Sequence, residues 1–327
     1  MSEVFLTPQL FYFGVVFAFL FGITIGSFLN VVIYRVPNNI NINFPPSHCP
    51  KCKHKLCALD LVPLFSYLFL GRKCRYCSDP ISPRYFTIEL ITGLLFVATF
   101  LKFGWSIETV IYALFISALI CVFMIDYDTY TIPFSLIIFT CALGIVRDII
   151  NIIIASQYAV GGIDPYLHIK VPFTGFSFPM LPSIWGIVIC FVIFLCITLF
   201  SMLFRKEGGM GGGDTLLACA IGSVLTNTTY GLWQPVASFF IAIFLGAIVG
   251  VIIIIVASVK GKNEVSEKER KLKEELEFSD EENNDILMKP IPFGPYMVTG
   301  ALFVMFFFNL IIKAWDWYYI SFIIPKP

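Results

Sequence analysis

Charge is what this chain has least of. Residues 4–34 contain no Asp, Glu, Lys, Arg or His, and residues 215–259 contain none across 45 positions. Only 13% of the 327 residues are charged, against 58% hydrophobic. A soluble globule of that composition could not cover itself with polar surface, so an ordinary water-soluble domain is excluded. No Lys or Arg precedes Arg35. The charged start of a cleavable secretory signal is therefore missing, and the N-terminus is expected to be uncleaved and outside. No glycine-rich loop follows a strand, which excludes a soluble dinucleotide-binding fold. The net charge of zero argues nothing about nucleic acid, and no nucleic-acid partner is expected.

What is present instead is a series of apolar runs long enough to cross a bilayer, which takes roughly 20 residues each. They fall at 4–34, 86–103, 105–125, 132–150, 183–204, twice within 215–259 with a break near Trp233-Gln234-Pro235, and at 293–313. The expectation is an all-α polytopic membrane protein with about eight transmembrane helices and a small cytoplasmic zinc-binding loop domain. Its parts are a first transmembrane helix (1–34), a cytoplasmic four-cysteine zinc domain (35–85), a transmembrane catalytic core (86–259), a charged cytoplasmic linker (260–289), and a last transmembrane helix with a tail (290–327). With the N-terminus outside, 17 of the 22 Lys and Arg fall in the loops 35–85, 205–213 and 260–289, in keeping with the positive-inside rule. Residues 151–182 read as an external loop or short re-entrant piece. Residues 260–289 read as a solvated linker with a helical middle near 266–277. No internal repeat is evident.

Cys49-Pro-Lys-Cys52 and Cys74-Arg-Tyr-Cys77 form two CxxC pairs. Each pair can offer two thiolates to one ion, and two pairs make a closed tetrahedral sulfur site, the usual arrangement for structural zinc. Their expected cytoplasmic position is reducing, which disfavours disulfides. His48 and His54 flank the first pair but are not needed as ligands, and Cys57 has no partner at metal spacing. Cys121, Cys141, Cys190, Cys196 and Cys219 lie in apolar runs, where a thiol behaves as a small hydrophobe.

Asp126 and Asp214 each stand where an apolar run meets a polar loop. Ionisable groups at such depths point to function, because burial disfavours the charged form. Counting spans places both on the same side at similar depth. Two carboxylates brought close share a proton, so that one acts as base toward water while the other donates to a carbonyl; this is aspartic-protease chemistry. Asp128 lies nearer the turn and is the lesser candidate. The string Gly208-Gly209-Met210-Gly211-Gly212-Gly213-Asp214 would let backbone approach an extended peptide closely. The alternative for all three aspartates is that of interfacial carboxylates at span ends. Glu89 is the other notable charge, read either as functional or as a structural partner of Arg84.

Six motifs, in order, resemble the type IV prepilin peptidase family, the bifunctional leader peptidases and N-methyltransferases of pilus, type II secretion and competence systems. They are Gly26-Ser27-Phe28-Leu29-Asn30 running to Val36-Pro37; the four-cysteine loop with Pro63-Leu64-Phe65-Ser66-Tyr67 inside it; Ile81-Ser82-Pro83-Arg84-Tyr85 with Glu89; Asp126 followed by Pro133; Gly211-Gly212-Gly213-Asp214; and Ile291-Pro292-Phe293-Gly294-Pro295-Tyr296. The resemblance implies a GxGD-type membrane aspartyl peptidase of the bacterial inner membrane. It would cleave prepilin and pseudopilin leaders after glycine on the cytoplasmic side, with Asp126 and Asp214 catalytic. It also implies methylation of the new N-terminus using S-adenosylmethionine. The family often has Lys two residues after the second aspartate, where this chain has Leu216. Alternatives are a peptidase without methyltransferase activity, a proton- or ion-coupled transporter using intramembrane carboxylates, and a zinc-stabilised scaffold, which leaves the aspartates unexplained.

Overall fold

The fold comes from a computed structural model that describes residues 7–158, 168–170, 177–179, 181–204, 211–263 and 292–318. All eight expected apolar runs are helical. In chain order the helices are α1 (Pro8–Arg35), the short α2 (Phe65–Phe69), α3 (Pro83–Phe103), α4 (Ile107–Thr129), α5 (Phe134–Tyr158), α6 (Pro182–Phe204), α7 (Gly212–Leu225), α8 (Trp233–Asn263) and α9 (Gly294–Tyr318). The expected break in 215–259 is real, and α8 begins at Trp233. One antiparallel pair, β1 (His168–Lys170) with β2 (Ser177–Pro179), lies in the segment after α5. The rest of that segment, the first three glycine-string residues and the helical middle expected near 266–277 lie outside the described residues.

Local chemistry sets the helix ends. The Thr7 hydroxyl accepts the Leu10 N–H, and the Ser82 hydroxyl accepts that of Arg84, each just ahead of a proline in the first turn. α3 stops at Gly104, with φ +64°, and α4 stops at Tyr130 in the left-handed region. The core follows α4, α7 and α9, where Phe115, Ile116, Leu119, Ile125, Leu217, Ile221, Met297 and Val298 are fully buried. α8 is peripheral; only 11% of its apolar window is buried, against 61% for α4.

Seven of these helices are long and apolar enough to cross a membrane, but α7 has only 14 residues. At 1.5 Å per residue it covers about 21 Å, short of a hydrocarbon core of roughly 30 Å. Its last carbonyls therefore need donors supplied by the protein. Arg147 of α5 supplies them. Its guanidinium donates to the carbonyl oxygens of Val224 and Thr226 (the latter at 2.5 Å), and to Asp148 Oδ1 at 2.8 Å. Asp148 Oδ2 in turn accepts the Ser183 N–H at 2.7 Å, in the first turn of α6. One ion pair thus closes α7 and opens α6, and both of its members are nearly sealed off, at 2% and 5% exposure. The pair lines a cavity of about 250 Å³ with Glu108, Tyr112, Asn151 and Asn227, so the irregular backbone after α7 borders protein and cavity. α6 and α7 also touch backbone to backbone. A Cβ at Gly186 would lie 2.1 Å from the Gly222 oxygen, which forbids any side chain there.

Replacing Arg147 by Met strands Asp148 without its counter-ion and leaves two helix-end carbonyls without their donor. The expected loss is about 3–5 kcal/mol, read as a lowered unfolding midpoint of the purified protein. The double replacement Arg147→Met with Asp148→Leu should recover part of that loss, since no unpaired charge remains. An unchanged midpoint in Arg147→Met would contradict the role given to the pair.

Candidate active site and metal module

The α4–α5 turn, the start of α7 and the start of α9 converge at one end of the bundle. Asp126 sits in the last turn of α4 and is 5% exposed. Its Oδ2 accepts the Gly294 N–H, the first amide of α9, at 3.0 Å. A Cβ at Gly294 would come 2.4 Å from that same oxygen, so the contact requires glycine. Asp214 is the third residue of α7 and half-buried, and its N–H donates to Gly211 O at 3.1 Å. Gly213, beside it, faces Ile132 of the α4–α5 turn; a Cβ there would sit 3.5 Å from the isoleucine side chain. The two aspartates, 88 positions apart in sequence, both lie at this end of the bundle, where the start of α7 reaches the α4–α5 turn through Gly213 and Ile132.

Asp128 belongs to a different setting. Both of its oxygens are engaged by the Arg84 guanidinium, one at 3.0 Å, on the exposed rim of the bundle. Arg84 is therefore not the partner of Glu89. The Glu89 Oε2 instead accepts the Leu64 N–H at 2.8 Å and holds the four-cysteine loop against α3. Leu216 follows Asp214 by two residues and packs against the core. Sequence reading missed the Gly294 amide as a partner of Asp126. Its trace was the glycine in the motif that opens α9.

The four cysteine sulfurs lie within 4.8 Å of one another, and Cys49 Sγ and Cys77 Sγ are 3.9 Å apart. A tetrahedral site with metal–sulfur bonds of about 2.3 Å spaces its sulfurs by roughly 3.8 Å, so the donor set fits one such ion. The loop is also a small structural repeat, contrary to the expectation of none. In each half the first cysteine's carbonyl accepts the N–H four residues on, from Lys53 or Ser78, and both donors have φ near +60°. In each half the cysteine's own N–H donates to the carbonyl five residues on, at His54 or Asp79. Such turns aim amides at sulfur. The Cys52 N–H, with further amide and thiol contacts, lowers the Cys49 thiol to about 7. The Asp79 amide favours a thiolate at Cys77, but burial and the neighbouring sulfurs outweigh it and push that thiol up to about 12. Four thiolates this close call for a cation. None of the ten cysteines is in a disulfide.

Asp60 ties the halves together. It accepts from the Cys57 thiol and N–H, each at 3.1 Å, from Arg75 Nε at 2.7 Å and from the Tyr76 hydroxyl at 3.0 Å. Arg75 and Tyr76 are the residues between the second pair of cysteines, and the Tyr76 ring stacks on His54 with centroids 3.7 Å apart. Cys57 is thus an anchor for Asp60, and His54 packs against a ring. The Cys57 thiol, with Tyr76 and Arg75, holds the Asp60 carboxyl down at about 2.

Among the described residues, seven helices long and apolar enough to span a membrane, two aspartates at one end of the bundle and four thiols placed to hold one metal ion define a polytopic membrane protein with an enzyme-like site. Comparison with known proteins narrows the class. Residues 20–103 match the bacterial peptidase A24 N-terminal domain, and residues 113–255 match the type IV leader peptidase family. The first match holds all four cysteines and the second holds both aspartates. The chain is 32% identical over 248 residues to a prepilin leader peptidase/N-methyltransferase of Myxococcus xanthus, covering 75% of this chain and 65% of that protein. It is 31% identical over 276 residues to the protein of that name from Neisseria gonorrhoeae (77% of this chain, 85% of the relative), and 27% identical over 296 residues to that from Bacillus subtilis (90% and 95%). The chain belongs to the type IV leader peptidase family. No solved structure matches it.

Removing Asp60 takes away the acceptor of four donors around the module. Asp60→Ala should weaken metal retention about 10–100-fold in chelator competition. A carboxyl held near 2 contributes above the ordinary carboxylate pKa and loses its contribution only as pH falls through about 2. The ratio of variant to wild type should therefore be the same at pH 6 and pH 8. Equal retention by both proteins would contradict the role of Asp60.

Proposed function

We propose that this chain is a prepilin leader peptidase and N-methyltransferase of the bacterial inner membrane, working from the cytoplasmic face on prepilin or pseudopilin substrates. The observation that supports the reading is that Asp126, at the end of α4, and Asp214, at the start of α7, lie at the same end of the bundle in a chain of this family. We assign the base to Asp126, whose Oδ2 accepts the Gly294 N–H and is held in place by it. Asp126 takes a proton from a water as that water's oxygen bonds to the scissile carbonyl carbon. Asp214 gives its proton to the carbonyl oxygen. The tetrahedral species then collapses: the carbon–nitrogen bond breaks, the leaving nitrogen takes up the proton held by Asp126, and the hydroxyl proton returns to Asp214. Glycine at Gly211, Gly212 and Gly213 keeps the approach to Asp214 open to an extended peptide.

Cys49, Cys52, Cys74 and Cys77 would hold structural zinc. With four protein ligands the ion would brace the loop and leave no position for water. S-adenosylmethionine, the methyl donor implied by the relatives' name, supplies an electrophilic methyl to the amine freed by cleavage. Among the described residues no strand precedes the glycines at the start of α7, so the strand–loop–helix context of a nucleotide loop is not met there. The excess of Lys and Arg in 35–85, 205–213 and 260–289 supports the cytoplasmic orientation. The transporter alternative predicts charged residues near mid-span on several helices. The buried pair Arg147 and Asp148 instead closes helix ends.

Asp126→Asn and Asp214→Asn each keep side-chain shape while removing a proton carrier. Either should cut leader cleavage by the purified protein about 10²-fold or more, with membrane insertion unchanged. Full cleavage by one of them ends the assignment of that residue. For methylation, label from S-adenosylmethionine should appear on the cleaved product; cleavage without transfer would make the chain a peptidase only.

A further inference from the structure

The stretch 61–69, between the two metal-binding turns, lies deeper than its place in a polar loop suggests. α3 has 21 residues, about 31 Å at 1.5 Å each, which matches a hydrocarbon core of roughly 30 Å. Pro83 then marks one boundary, and Glu89, six residues on, lies about 9 Å inside it. Leu64 N–H donates to Glu89, and the Tyr67 ring packs on Phe86 with centroids 5.3 Å apart. α1 gives the same level, because Gly26, well before its end at Arg35, touches the Glu89 backbone. α2 runs beside the first two turns of α3, on the bundle side of the level that Pro83 marks.

Its outward side is apolar. Phe65, Leu68 and Phe69 are 45%, 55% and 86% exposed, and Leu61 and Val62 are exposed beside them. A second observation points to the same surroundings. The N–H groups of Leu64, Phe65, Ser66, Leu68, Leu70, Gly71, Arg72 and Lys73 all donate to protein acceptors, most of them inside this short segment. Water would have satisfied such amides on an exposed loop; hydrocarbon cannot. Directly after the apolar face come Arg72 and Lys73, exposed and cationic, where the chain climbs back toward the boundary. That order matches acyl chains followed by phosphates.

We propose that residues 61–73 form a lipid-docking wedge. Phe65, Leu68 and Phe69 enter the leaflet on the four-cysteine side, and Arg72 and Lys73 meet the phosphates of its phospholipids. The metal module then lies against the membrane beside the Asp126 end of the bundle. The wedge would let it keep that height without a long tether.

The test places a photoreactive benzoylphenylalanine at Phe69 or Leu68 in the full chain. The protein is reconstituted in bilayers of phosphatidylethanolamine and phosphatidylglycerol and irradiated, and the adducts are weighed by mass spectrometry. Phe17, on the exposed face of α1, is the positive control for lipid capture. Lys53, on a metal-binding turn, is the aqueous control. The expected result is a mass gain of one phospholipid at 69 and 68, as at 17, with none at 53, in protein that keeps its bound metal. With the control at 17 reacting, absence of lipid adducts at both 69 and 68 would overturn the proposal. So would adducts joining those positions to a second copy or to another protein's apolar segment. A lipid adduct at 53 equal to that at 69 would also overturn it, since the wedge would then be no deeper than the turn.

Discussion

A helix too short to cross the bilayer has to be ended inside it, and the placement of Asp214 depends on how that is done. α7 begins with two glycines and an aspartate, behind a third glycine at its N-cap, and stops after 14 residues. Left alone, its last carbonyls would face an apolar medium with no donor, at several kcal/mol each. The Arg147–Asp148 pair removes that penalty at one end while the Gly186–Gly222 contact fixes the helix sideways. With its far end and flank fixed, α7 can leave its first turn, which carries Asp214, loosely wrapped in glycine. Rigidity is placed about 15 Å from the acid pair, and openness is placed at it.

The same division appears around Asp126. Its backbone ends a long and deeply buried helix, and its side chain meets the first amide of α9 at a position where only glycine fits. Three helix ends therefore define the place of two carboxyls. The four-cysteine module stands beside this end, tied to α3 by Glu89 and internally by Asp60. In the proposed function the carboxyls carry the chemistry, and the thiols, holding an ion, would brace the loop.

Much of this was legible in the residues. Long charge-free runs have one physical solution in a membrane, so eight apolar helices and the break before Trp233 could be read directly, but not that one of the eight, α7, is too short to span. CxxC spacing constrains sulfur geometry so tightly that the cluster followed from it. What could not be read were pairings between distant segments. Glu89 and Arg84 are five residues apart, and their neighbourhood invited a pair. The fold instead gives Glu89 to a backbone amide at Leu64 and Arg84 to Asp128 across the helix hairpin. Arg147-Asp148 stood in plain sight within an apolar run, but its purpose is visible only once α7 proves short. The repeat of the metal-binding turns lies in φ angles and hydrogen bonds, with only the cysteines shared, so letter comparison passed over it.

The central claim is that Asp126 and Asp214 act as one unit on one water. Groups acting as a unit do not lose activity additively. The most direct measurement is therefore the residual turnover of Asp126→Asn and Asp214→Asn set against that of the double variant on the same peptide. The account predicts that the double variant is no slower than the slower single one. If the two losses multiply instead, the carboxyls work independently and the shared-proton account is wrong.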